Sequence, residues 1–152
     1  MIPEKFFVTS GKATSPTSEL NAFDLALKEA GIAQCNLVHV SSILPPNCQQ
    51  VDLALIPIGA ITHVVMARMD GTGGERISAG IAWSFGAGNG QGIVAEASGH
   101  MDKKELKNTL RSRVHEMARA RDIEMGKISY RRETLDVPSG SYGCVMAALV
   151  YL

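Results

Sequence analysis

The chain of 152 residues is poor in aromatic side chains, has three cysteines and carries no formal net charge. Only 5% of its residues are aromatic although 45% are hydrophobic, so the core must come mainly from Ala, Val, Ile, Leu and Met. This composition is typical of a globular protein, and the length suits one compact domain. The 15 basic and 15 acidic residues balance, so we expect no nucleic-acid or membrane partner, because both favour a basic surface.

Long apolar runs are also missing. No segment approaches the roughly 20 apolar residues that a membrane-spanning helix needs, and the N-terminal MIPEKFFVTSGKATSPTSEL does not resemble a signal peptide. Cys35, Cys48 and Cys144 are odd in number and widely spaced, which disfavours both a disulfide framework and a CxxC metal site. We therefore expect a reducing, cytoplasmic location, with the cysteines serving as small core residues.

The common catalytic motifs are absent. HExxH and GxSxG do not occur, and neither glycine cluster, GTGGE (71–75) or GAGNG (86–90), matches a phosphate-binding loop. Both clusters are typical of hairpin turns between strands. The four histidines have no spacing suited to chelation, so we expect no metal site; they are His39, His63, His100 and His115.

Hydrophobic periodicity predicts two helices separated by strands. One helix is expected over 19–30, capped by Ser18, and a longer one over 103–121, capped by Asp102. The longer helix has a basic face, which we interpret as solvated and not as a nucleic-acid surface, since no aromatic residue interleaves the charges. Strands are expected at 5–11, 35–43, 61–70, 75–87, 92–100, 127–137 and 142–152. The pattern predicts an α+β fold with mainly antiparallel sheets.

The segment NLVHVSSILPP (36–46) carries the one unusual chemical possibility. Ser41 and Ser42 lie near the end of the predicted 35–43 strand, just before two prolines. A hydroxyl that follows a peptide carbonyl can attack it when the fold strains that bond and stabilises the oxyanion. The resulting ester can then eliminate and hydrolyse to leave a pyruvoyl group. By itself, a Ser-Ser dipeptide is equally compatible with an ordinary hydrogen-bonded strand end.

Several segments together resemble the pyruvoyl-dependent arginine decarboxylase family, over a stretch from about Leu20 to Leu152. Besides NLVHVSSILPP they are LNAFDLALKEAGI (20–32), GGERISAGIA (73–82), GIVAEASGHMDKKEL (92–106) and SYGCVMAALVYL (141–152). The resemblance implies a four-layer αββα sandwich that assembles as a trimer, with the sites at subunit interfaces. It also implies a carbon–carbon lyase that converts L-arginine to agmatine and CO₂ with a covalent pyruvoyl group derived from Ser42.

Applied residue by residue, the resemblance places self-cleavage between Ser41 and Ser42. The single domain 1–152 would then consist of a β subunit, 1–41, and an α subunit, 42–152. Asn36 matches the family asparagine that stabilises the intermediate of self-cleavage.

Four further positions match the family's substrate site. Glu96 matches the general acid, and its apolar strand independently suggests a desolvated carboxyl with a raised pKa. Asp24 matches the aspartate that faces the substrate guanidinium, a pairing that a planar bidentate geometry favours. Leu20 and Cys35 match positions at the pocket wall.

Two alternatives remain open at this point. The same self-processing chemistry could serve another amino acid such as histidine or aspartate, although Asp24 favours a cationic substrate. The chain could also be an unprocessed trimeric binding or scaffold protein with an inert Ser-Ser dipeptide.

Overall fold

The structure is a computed structural model that describes residues 1–152. Its two helices are α1 (Glu19–Glu29) and α2 (Lys103–Ala120). The nine strands are β1 (Lys5–Ser15), β2 (Asn36–His39), β3 (Ile43–Leu44), β4 (Gln49–Gln50), β5 (Ile61–Thr72), β6 (Arg76–Phe85), β7 (Gly92–Gly99), β8 (Ser129–Asp136) and β9 (Tyr142–Tyr151). Neither helix has the length and apolar character to cross a membrane.

The strands form two sheets. The first has the order β2-β5-β9-β1-β4, and the second has the order β3-β7-β6-β8. All neighbouring strands are antiparallel except the pairs β2–β5 and β1–β4. The prediction of an α+β fold with mainly antiparallel sheets is therefore confirmed.

Three apolar clusters show how the layers stack. One lies between the two sheets, one lies between α1 and the first sheet, and one lies between α2 and the second sheet. Strand β9 supplies two of them by simple alternation, because neighbouring side chains of a strand point to opposite faces. Its Val145, Ala147 and Leu149 face the second sheet, while its Cys144, Met146, Ala148 and Val150 face α1. The layers thus run helix, sheet, sheet, helix, as the αββα prediction requires.

The two helices form where the sequence predicts them. The Ser18 side chain accepts from the Asn21 amide at the start of α1, and the Asp102 side chain accepts from the Glu105 amide at the start of α2. These caps satisfy backbone donors that have no partner inside a helix. The apolar stripe of α2 is buried against the second sheet, namely Leu106, Leu110, Val114 and Ala118.

Close packing holds α1 on the first sheet. A side chain at Gly11 would overlap the carbonyl oxygen of Ala26, so only glycine lets the helix backbone approach β1 this closely. The Thr9 hydroxyl donates to the carbonyl oxygen of Ala30 over 2.7 Å near the end of the helix. Helix α1 is therefore fixed against the centre of the sheet.

Two strand predictions were wrong. Strand β1 does not stop at residue 11 but continues to Ser15, because residues 12–15 pair with β9 down to Tyr142. The predicted strand 35–43 is not continuous either. Strand β2 ends at His39, and Ile43 belongs to a different sheet. The three cysteines are unpaired, with Cys48 and Cys144 buried and Cys35 partly buried, as predicted for core residues.

Candidate active site

The chain crosses from one sheet to the other at Ser41 and Ser42. On one side, the Val40 amide donates to the Val64 carbonyl of the first sheet over 2.9 Å. On the other side, the Ser42 carbonyl accepts from the Val94 amide of the second sheet over 2.9 Å. The peptide bond between Ser41 and Ser42 therefore bridges the two sheets, with its flanking backbone held by each of them.

The residues that follow explain why the crossing is sharp. Leu44 is fully buried in the core between the sheets, and β3 pairs with β7 over only two residues before Pro45 and Pro46. Proline lacks a backbone donor and cannot continue the ladder. Asn47 then takes a positive φ of 65° in the loop, whereas neither serine has a left-handed backbone. Backbone hydrogen bonds on both sides therefore hold Ser41 and Ser42 in place, and the crossing does not depend on a left-handed turn.

The two serines contribute to different cavities. Ser42 lines a small cavity of about 200 Å³ with Glu96, and their other neighbours there are Val94, Ala95, Arg113, Glu116 and Met117. Ser41 lines a larger, mainly apolar cleft of about 690 Å³, together with Val40, Ile43, Thr62, His63 and Tyr151 among others. The structure thus brings Ser42 and Glu96 together, although they lie in distant parts of the sequence.

Glu96 lies where the edge of the second sheet is open. Strand β3 covers only Gly92 and Ile93 of β7, so the later residues of β7 have no strand on that side. Since side chains alternate, Glu96 points to the same side as Val94, which lies in the core between the sheets. The guanidinium of Arg113 on α2 donates to the backbone carbonyl of Glu96. Helix α2 therefore helps to fix this part of β7.

The surroundings of Glu96 favour a protonated carboxyl. Its side chain is exposed at the surface of the single chain, but partial removal from water still raises the pKa of Glu96 above its ordinary value. The nearby charges of His39 and Arg113 oppose that rise and lower the pKa in part. The direction of the shift is the one that the apolar strand sequence predicted, and it suits a group that must hold a proton near neutral pH.

Asn36 lies at the start of β2, outside both cavities. Its side-chain amide donates to the Gly59 carbonyl over 2.8 Å, and its backbone amide donates to the Ala60 carbonyl over 2.9 Å. Within the predicted strand 35–43, alternation of side chains would place Asn36 and Ser42 on the same face. Because β2 ends at His39, that shared face does not exist, and Asn36 instead anchors the strand that leads to the crossing.

The residues predicted to bind substrate lie elsewhere in the chain. Asp24 and Leu20 are exposed on α1, which packs on the outer face of the first sheet, and neither lines a cavity with Ser41 or Ser42. Cys35 is partly buried and packs against the cluster beneath α1. A single chain thus unites Ser42 with Glu96 but leaves Asp24, Leu20 and Cys35 apart from them.

Sequence reasoning missed two polar neighbours of Glu96. Arg113 is one of six lysine and arginine residues of α2, and nothing in the sequence distinguishes it from the others. His39 lies in the unusual segment itself, but only the end of β2 and the turn toward the second sheet bring it near Glu96.

Comparison with known proteins gives this geometry its context. The sequence model of the family described as pyruvoyl-dependent arginine decarboxylase matches residues 5–152. The chain belongs to this family. It is 34% identical over 152 residues to the pyruvoyl-dependent arginine decarboxylase of Methanopyrus kandleri, covering 99% of this chain and 97% of that protein. It is 36% identical over 153 residues to the protein of that name from Methanothermobacter thermautotrophicus, covering 100% and 99% of the two chains.

Members of the pyruvoyl-dependent arginine decarboxylase family are carbon–carbon lyases, and the family name implies a covalently bound pyruvoyl group. The residues at the sheet crossing fit such a group. Ser42 has a peptide carbonyl before it, is partly buried, and has its own carbonyl held by Val94. It also shares a cavity with a carboxyl group whose pKa is raised, that of Glu96.

Proposed function

We propose that this chain decarboxylates L-arginine to agmatine and CO₂, using a pyruvoyl group that it makes from its own Ser42. The observation that carries the proposal is the shared cavity of Ser42 and Glu96, in a chain that belongs to the pyruvoyl-dependent arginine decarboxylase family. The relatives named above supply the substrate class by their names.

Self-processing begins with attack of the Ser42 hydroxyl on the Ser41 carbonyl. The carbon–nitrogen bond breaks, an ester forms between the two residues, and the Ser42 nitrogen takes up the proton. Elimination then releases the carboxylate of Ser41, and hydrolysis of the new N-terminal residue releases ammonia. The products are a β subunit, 1–41, and an α subunit, 42–152. Support comes from the backbone hydrogen bonds on both sides of this peptide bond, which limit its motion relative to the attacking hydroxyl.

In this proposal Asn36, the first residue of β2, assists self-processing. Its amide is the family's candidate for stabilising the oxyanion that forms at Ser41. In the single chain this amide donates to Gly59, so it must exchange that carbonyl for the oxyanion as the reaction proceeds.

In decarboxylation, residues of the chain then have separate roles. The pyruvoyl group supplies an electron sink for the pair left behind when the carboxylate departs. Glu96 holds a proton and delivers it to the former α-carbon. Val94, Ala95 and Met117 line the cavity and reduce its hydration, which raises the pKa of Glu96 and disfavours the charged substrate carboxylate.

Asp24 selects the guanidinium end of the substrate, with Leu20 and Cys35 as neighbouring wall residues. Because Asp24 does not line the Ser42 cavity of its own chain, we propose that a second copy of the chain supplies it in a trimer. Exposed apolar side chains around β2 and the following loop support such an interface. They are Val38, Val40, Ile43, Leu53, Leu55, Ile58 and Ile61, of which Leu55 is 94% exposed and Ile58 is 91% exposed.

The three unpaired cysteines support a reducing compartment, and we propose that the enzyme works in the cytoplasm. The decisive test combines denaturing mass spectrometry of the purified chain with measurement of CO₂ release from single amino acids. We expect two fragments, the larger beginning at a carbonyl-reactive Ser42 derivative, and CO₂ from arginine. Release from histidine or aspartate alone would replace the substrate assignment, and a permanently intact chain would indicate a binding or scaffold protein.

A further inference from the structure

Tyr151, the last residue of β9, reaches across the space between the sheets to the crossing segment. Its hydroxyl donates to the Ile43 carbonyl over 2.7 Å. The side chain is only 9% exposed and packs in the core between the sheets, yet it also lines the cleft that contains Ser41. A buried hydroxyl from the first sheet is therefore bonded to the residue that follows Ser42.

The position of Ile43 explains why this bond matters. In an antiparallel pair, alternate residues direct their backbone groups toward the partner strand and away from it. The Ser42 carbonyl points to β7, where Val94 bonds it, so the carbonyl of the next residue points away from β7. Strand β3 is at the edge of its sheet and has no other strand on that side. Tyr151 thus satisfies a carbonyl that the sheet itself leaves without a partner.

The hydrogen bond from Tyr151 to Ile43 joins two strands that belong to different sheets. Strand β9 lies in the middle of the first sheet, whereas β3 is two residues long and belongs to the second. Burial raises the pKa of Tyr151 to about 12, with a smaller contribution from Cys48, so the hydroxyl stays protonated and able to donate at neutral pH.

We propose that Tyr151 is a positioning residue for self-cleavage: by bonding the Ile43 carbonyl, it fixes the backbone that presents the Ser42 hydroxyl to the Ser41 carbonyl. This inference rests on the proposed self-processing. The Val94 bond holds Ser42 from the second sheet, and Tyr151 holds the next residue from the first. Without the second bond, β3 can shift along the edge of β7, and the hydroxyl spends less time within reach of the carbonyl.

The first experiment measures the rate of self-cleavage for Tyr151→Phe, which keeps the ring and removes only the hydroxyl. Chains made by cell-free synthesis are sampled over time, and denaturing mass spectrometry gives the ratio of intact chain to fragment. We expect a rate constant about five- to tenfold below the unmodified chain, the scale of one net hydrogen bond.

Two control variants separate positioning from general destabilisation. Thr9→Val removes another buried hydroxyl-to-carbonyl bond of 2.7 Å, but one that lies between β1 and Ala30. Tyr142→Phe removes a hydroxyl from the opposite end of the same strand. Both are expected to cleave at the unmodified rate. Equal slowing in Thr9→Val, or no slowing in Tyr151→Phe, would overturn the proposal.

A second measurement does not depend on cleavage. In a Ser42→Ala background, deuterium exchange of the Val94 amide reports how firmly the crossing segment is held. Adding Tyr151→Phe should speed this exchange about five- to tenfold, and adding Thr9→Val should leave it unchanged. Unaltered exchange with Tyr151→Phe would show that the bond to Ile43 does not hold this segment, and it would overturn the positioning role even if the unmodified chain cleaves. Failure of the unmodified chain to cleave would instead remove the proposed function, and with it the positioning role.

Discussion

The Val94 amide donates to the Ser42 carbonyl over 2.9 Å, and so joins the proposed cleavage site to the strand that carries Glu96. Val94 and Glu96 are two residues apart and point to the same side of β7. One short backbone contact therefore sets the spacing between the residue that would become the cofactor and the residue that would supply the proton.

Replacing each serine of the pair gives the most direct prediction. Ser42→Ala should remain intact, because the attacking hydroxyl is gone. Ser41→Ala should still cleave, because only the carbonyl of that residue takes part, and this variant serves as the matched control. Denaturing mass spectrometry distinguishes the two results, and cleavage of Ser42→Ala would show that a different nucleophile acts.

Glu96→Gln should separate processing from turnover. The amide cannot deliver a proton, so we expect decarboxylation to slow by about 10²-fold or more, with KM for arginine little changed and self-cleavage intact. Glu116→Gln alters another carboxyl of the same cavity and should remain within about twofold of the unmodified enzyme. Steady-state CO₂ release checks both variants, and normal turnover in Glu96→Gln would remove its role as the acid.

Arg113→Met should change the pH dependence of the reaction. The Arg113 charge lowers the pKa of Glu96, so its removal should raise that pKa further. A general acid works in its protonated form, and activity falls as pH rises through its pKa. The alkaline limb of the pH–rate profile should therefore move to higher pH. Arg111→Met, on the same helix but bonded to Asn108, should leave the limb in place; a shift to lower pH in Arg113→Met would contradict this assignment.

Asp24→Asn tests the guanidinium site. Loss of the carboxylate charge should raise KM for arginine by about tenfold to a hundredfold, since a hydrogen bond to a charged group contributes about 1.5–3 kcal/mol. The effect on kcat should be much smaller. Glu19→Gln, at the start of α1, provides the control. It pairs with Arg68 over 3.9 Å, and its replacement should leave KM unchanged. Equal effects of the two substitutions would point to a general loss of negative charge on α1.

The helices were predictable from sequence because their signals are local. Ser18 and Asp102 cap their helices through contacts three residues away, and the buried stripe of α2 repeats at helical spacing. The hairpin strands β6 and β7 were also predictable, since the glycine clusters mark the turns around them.

The crossing at Ser41 and Ser42 was not predictable from the same kind of signal. Alternation of side chains reports which faces are buried, but it does not report that a strand leaves one sheet for another. Val38, Val40 and Ser42 occupy alternate positions, as they would in one continuous strand. Only the pairing partners show that β2 ends and that β3 belongs to the other sheet. The link between Ser42 and Glu96 required this tertiary information, whereas the choice of those two residues came from the resemblance to a family.

The position of β1 between two other strands has a consequence for the cleaved enzyme that we propose. Strand β1 lies between β9 and β4, and its Phe6 and Phe7 are fully buried. If the chain is cut after Ser41, as we propose, the β1 segment still pairs with β9 and β4 of the other piece, so the two polypeptides remain held together noncovalently. Refolding of the cleaved protein, however, would differ from folding of the intact chain. A fold reached once by a single chain would have to be regained by two separate molecules, and recovery from denaturation would depend on their concentration.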